Sequence, residues 1–108
     1  GLDIMIKRER PIRCPDCGKV VSFETLDYAR SGGADWYDYL ESVGYYDPTA
    51  DYGDDDTWYA EDMTLNADQA MKLADFSNKR KCADYAEIEK LVALALLHED
   101  SVVINADW

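Results

Sequence analysis

Arg13-Cys14-Pro15-Asp16-Cys17-Gly18-Lys19-Val20-Val21-Ser22-Phe23 runs from a turn into a short β-branched segment. Pro15 restricts the backbone, Gly18 permits a positive φ, and residues 20–23 then favour an extended chain. A hairpin is expected over 12–23, with a strand near 19–23.

Toward the C-terminus, Ser22 or Thr25 can open a short helix near 24–31 that Gly32 and Gly33 would end. Trp36, Leu40 and Val43 recur at i, i+4 and i+7, so a helix is expected over 34–43 with Gly44 just past its end. Residues 45–56, with Pro48, Gly53 and clustered Asp, read as a loop. Residues 57–64 alternate as a strand would, with a helical turn as the alternative. Asn66 and Gln69 form a capping box for a helix over 66–80, whose inward face is Ala70, Met71, Leu73, Ala74 and Ser77. Asp84 and Glu87 form a second capping pair, for a helix over 84–98 with an apolar stripe of Ile88, Leu91, Val92, Leu94 and Ala95. Residues 101–106 close the chain as a strand. The sum is an α+β fold, with a short sheet (strands near 19–23, 57–64 and 101–106) and three to four helices (near 24–31, 34–43, 66–80 and 84–98).

The 108 residues suit one domain, and 47% hydrophobic and 12% aromatic content places them outside the disordered class. Gly1-Leu2-Asp3-Ile4, ahead of Met5, reads as vector-derived and outside the fold. The residues after Met5 lack the apolar core of a signal peptide, and no run approaches the roughly 18 apolar residues of a membrane span. We expect a cytoplasmic protein with no membrane partner. Three cysteines, an odd number, fit a reducing compartment better than a disulfide framework.

The net charge is −12, and its distribution is uneven. Residues 1–30 net +1, residues 72–108 net −2, and residues 31–71 hold eleven acids and no Lys or Arg. That middle stretch also holds eight of the thirteen aromatics, which acidic tails and linkers lack, so it should fold.

Cys-x-x-Cys followed by Gly is the shape of a zinc-knuckle half-site, because the turn aims both thiolates at one place. Beyond Cys14 and Cys17, the remaining soft ligands are Cys82 and His98. These stand 16 residues apart, roughly 24 Å along a helix, so one ion cannot take both unless the helix breaks. Three cysteines with an Asp or a water are less common in closed structural sites. A structural turn with free thiols is the alternative reading, as are a small buried hydrophobe for Cys82 and a dipole-favoured helix end for His98. Redox motifs open a helix, whereas Gly18 and a β-branched run follow here. Zinc is the one candidate cofactor, and none is required.

Other chemistry is sparse. Asp54, Asp55 and Asp56 fit no register of a calcium loop. There is no Gly-rich phosphate loop, nucleophile elbow or His-Glu-x-x-His. With a single histidine, a non-enzymatic protein is expected.

Eleven carboxylates match the charge of about 19 Å of duplex DNA, so the middle stretch can rival DNA for a basic surface without binding nucleic acid itself. The expected contact residues are Asp35, Asp38, Glu41, Asp47, Asp51, Asp54, Asp55, Asp56, Glu61 and Asp62, with Tyr45, Tyr46 and Trp58 as apolar anchors. The expected partner is a nuclease or another DNA-binding complex. In composition, size and single-domain form the chain is similar to phage-encoded DNA-mimic inhibitors, the antirestriction and anti-CRISPR proteins. That resemblance implies inhibition by occlusion of a basic site. The competing reading is a small zinc-ribbon-like binding module in which Cys14 and Cys17 hold half of a metal site and the N-terminal bases Arg8, Arg10, Arg13 and Lys19 contact an acidic partner.

Overall fold

A long antiparallel hairpin organises the chain. The computed structural model describes residues 1–49, 58–80 and 84–108. In order, the elements are β1 (Asp3–Arg13), β2 (Val20–Gly32), α1 (Trp36–Ser42), β3 (Met63–Leu65), α2 (Ala67–Arg80), α3 (Tyr85–His98) and β4 (Ser101–Asp107). The four strands form one antiparallel sheet in the order β2-β1-β4-β3. The chain is therefore a small α+β domain with three helices among the described residues.

Side chains alternate across β1, so Ile4 and Ile6 face one side of the sheet, level with Ala29 of β2 and with Ala106 and Ile104 of β4. The helices cover that side. Ile88, Leu91, Val92 and Ala95 of α3 meet it together with Ala70 and Leu73 of α2, while Trp36, Tyr39 and Leu40 of α1 complete the core. The Asn66–Gln69 capping box forms reciprocally: each backbone N–H donates to the other's side-chain oxygen, at 2.9 and 2.8 Å. Trp36, Leu40 and Val43 are buried as their spacing requires, and Gly44 takes a φ of +78° just past the helix.

Several expectations are corrected. No helix forms near 24–31, because these residues are the second half of β2 and pair with β1. Asp27 pairs with Arg8 and Thr25 with Glu9, leaving Leu26 as an extra residue. That bulge breaks the alternation of two and hides the strand. The strand β1 itself was not expected, and the opening residues belong to the fold: Leu2 is 4% exposed and Ile4 fully buried. The strand near 57–64 contracts to Met63–Leu65. Residues 58–62 instead turn, with Ala60 at a φ of +58° and its N–H donating to the Ala106 carbonyl at 2.8 Å. Asp84 makes no side-chain cap; its carboxylate lies 3.7 Å from Arg80. The helix over 34–43 narrows to Trp36–Ser42, and Met71 is exposed rather than inward.

β1 outruns the sheet. Its pairing with β4 ends at Glu9 opposite Ser101, whereas Arg10, Pro11, Ile12 and Arg13 pair with β2 only. At about 3.3 Å per residue, those four positions carry a two-stranded arm roughly 13 Å past the body, before its turn. The radius of gyration, 14.5 Å, exceeds the ~13 Å typical of a globular domain this long.

Candidate docking surfaces and the cysteine knuckle

The arm ends in the predicted turn. Cys14 N–H donates to the Lys19 carbonyl and Gly18 N–H to the Cys14 carbonyl, both at 2.8 Å. Gly18 has a φ of +72°, where a β-carbon is strained, and Arg13 Nη1 donates to its carbonyl at 3.0 Å. The backbone N–H groups of Cys17 and then Asp16, with the Cys17 side chain, hold the Cys14 thiol below its ordinary pKa. Both cysteines are free; Cys14 is half-buried and Cys17 exposed.

The fourfold ligand set considered from the sequence does not assemble among the described residues. No group of three or more His, Cys, Asp or Glu is placed there to hold a metal ion. His98 is exposed at the end of α3, next to the turn that holds the base of the arm. Cys82 lies outside the described residues.

The acidic stretch is arranged differently from its expected form. Asp38, Glu41, Asp47 and Glu61 are exposed. Asp35 begins α1 and accepts from Arg80 Nε, and that hydrogen bond holds its carboxyl below the usual range. Asp62 accepts from Asn105 Nδ2 at 3.0 Å and from Lys7 Nζ at 3.3 Å, and its pKa is likewise lowered, chiefly by Asn105. Asp47 accepts from the hydroxyl and then the backbone N–H of Thr49, which hold its pKa down. Asp51, Asp54, Asp55 and Asp56 lie outside the described residues.

Among the described residues, the aromatics of this stretch face inward more than outward. Tyr45 is 1% exposed, so it is a core residue rather than a surface anchor. Its hydroxyl donates to the Glu61 carbonyl at 2.6 Å and accepts the Ala106 N–H at 2.8 Å. Tyr46 is half-buried, 4.7 Å from Tyr37 and 5.2 Å from Trp108 between ring centres. Tyr59 meets Trp108 edge-on at 4.9 Å. Trp58, 36% exposed, lies near-parallel to Tyr45 at 6.2 Å. The aromatics thus fasten the acidic segment to β4.

Sequence reasoning passed over the charged joint at the base of the arm. Arg8 and Arg10 continue the inward face of Ile4 and Ile6, and both bind Asp100 at the α3–β4 turn. A strand with inward arginines lacks the apolar alternation that identifies strands. No protein-family model, curated protein or solved structure matches the chain. Among the described residues, no helix is long and apolar enough to cross a membrane.

Proposed function

We propose that this chain is a non-enzymatic binding protein whose acidic surface occupies a basic, nucleic-acid-binding site on a partner protein. One observation carries the reading: the exposed carboxylates of Asp38, Glu41, Asp47 and Glu61 stand on backbone fastened by Tyr45 and the ring cluster around Trp108. A rigid surface loses little freedom on docking, so its charge is converted into affinity more fully. Asp35 and Asp62 stay about half exposed, at 50% and 54%, although each is paired. Residues 31–71 contain no Lys or Arg of their own, and although Arg80, Lys7, Lys72 and Lys79 lie beside Asp35, Asp62 and Asp38, an excess of exposed carboxylates attracts basic surfaces and speeds their encounter. The similarity in type to DNA-mimic inhibitors points the same way, with a nuclease or other DNA-binding complex as partner.

The test is binding of the immobilised protein to a panel of nucleases and DNA-binding domains across a salt series, with and without competing duplex DNA. Wild type should capture at least one panel member, release it to the duplex, and bind more weakly as salt rises. The combined variant Asp38→Asn, Glu41→Gln, Asp47→Asn, Glu61→Gln should lose affinity and flatten the salt dependence. Unchanged affinity and slope in that variant, or no displacement by duplex, would refute the proposal.

A further inference from the structure

The knuckle presents two free cysteines, Cys14 and Cys17, in the hydrogen-bonded turn that ends a projecting arm. Two ligands do not make a structural zinc site, which closes with four. Asp16 lies in the same turn, but among the described residues no group of three or more His, Cys, Asp or Glu is placed to hold a metal ion. Pro15, Asp16, Cys17, Gly18 and Lys19 are all exposed, so nothing described covers the tip. Just behind it, Ile12, Val21 and Phe23 are 43%, 65% and 58% exposed, an apolar sleeve without a described cover.

We propose that Cys14 and Cys17 form half of a zinc site which a second copy of the chain completes, tip to tip, giving a four-cysteine centre between two arms. The ligand count selects this occupant. Two identical arms supply the closed tetrahedral thiolate set that zinc prefers, and a twofold axis through the ion requires nothing beyond the chain itself. Each of the four thiols gives up its proton to solvent as its sulfur binds, leaving a centre of charge 2−. Arg13 and Lys19 from each arm then stand beside that charge, against one Asp16. Tip-to-tip contact also sets the acidic bodies at opposite ends, where their repulsion is screened over a Debye length of about 8 Å. Exposed Ile12, Val21 and Phe23 on both arms gain cover as the arms meet. The inference does not depend on the role of the acidic surface.

The test is a zinc titration of the reduced full-length protein, followed by light scattering after size exclusion and by metal analysis of the peak. One zinc per two chains, a monomer that becomes a dimer, and reversal by a chelator are expected. Cobalt in place of zinc should show the intense visible absorption of a tetrahedral tetrathiolate. The double variant Cys14→Ser, Cys17→Ser should retain neither metal nor dimer, and Cys82→Ser should retain both. Zinc bound one per chain by a monomer, no retained zinc, or loss of zinc in Cys82→Ser would each overturn the proposal. The wild-type stoichiometry and mass decide the question even where a variant misfolds.

Discussion

Arg10 holds Asp100 in a two-point fork, Nε to Oδ1 at 2.7 Å and Nη2 to Oδ2 at 3.0 Å, with the Asp100 side chain 2% exposed. Arg8 adds a bond from Nη1 at 2.9 Å and turns its Nε to Asp27 at 2.6 Å. One carboxylate thus ties the α3–β4 turn to the strand that becomes the arm.

The hydrogen bond from Arg10, partly opposed by desolvation and helped by the charge of Arg10 and by Arg8, holds the Asp100 carboxyl below its ordinary pKa. In the unfolded chain the group returns to about 3.9. The folded value is the lower one, so this stabilisation is full above the unfolded value and is lost as pH falls through the folded value. Asp100→Asn should therefore lower the melting temperature most at about pH 6 and progressively less toward strong acid. Thermal melts of both proteins across pH check this, and a difference that stays constant with pH would contradict it.

Ile4 is fully buried and Leu2 is 4% exposed, against the expectation that residues 1–4 stand outside the fold. Ile4→Ala should cost about 2–5 kcal/mol in urea unfolding, the range for deleting a core aliphatic side chain. Stability within a few tenths of wild type would show that β1 starts later than Asp3.

The three helices α1, α2 and α3 were legible because their buried stripes follow one helical period, although Met71 of α2 is exposed and residues 24–31 form a strand. Ile88, Leu91, Val92 and Ala95 are buried where the pattern puts them, and Asn66 with Gln69 marks the start of α2. The hairpin's tip was legible from Cys14 to Gly18, but not its length. Leu26 interrupts the alternation in β2, and Arg8 and Arg10 put charge on the inward face of β1 because their partner, Asp100, lies 90 or more positions away. Such long-range compensation has no local signature. The roles of the aromatics were likewise hidden: composition does not say whether Tyr45 faces a partner or Ala106.

Tyr45→Phe removes one hydroxyl and keeps the ring. The Ala106 N–H and the Glu61 carbonyl then lose their 2.8 and 2.6 Å partner. Leaving a buried backbone donor unsatisfied costs about 1–3 kcal/mol. Chemical denaturation should show that loss, and hydrogen exchange at Ala106 should accelerate more than at Ile4 in the centre of the sheet. Uniform acceleration would mean that the hydroxyl adds no local restraint.

Arg80 gathers the opposite end of the molecule from the knuckle. Its Nη1 donates to Ser31 Oγ at 2.9 Å, its Nη2 to the Gly32 carbonyl at 3.0 Å and its Nε to Asp35, while the guanidinium lies 4.8 Å from the centre of the Trp36 ring. A lysine keeps the charge but not the planar fork or the stacking. Arg80→Lys should cost about 1–3 kcal/mol, mainly through the Ser31 and Gly32 contacts, because Asp35 is half exposed and its ion pair is screened by solvent. The Asp35 carboxyl, held down chiefly by the Arg80 hydrogen bond, should titrate at higher pH in the variant. Carbon-detected NMR of Asp35 separates the two effects: lower stability with an unmoved titration would assign the Arg80 contribution to packing over Trp36 rather than to the fork.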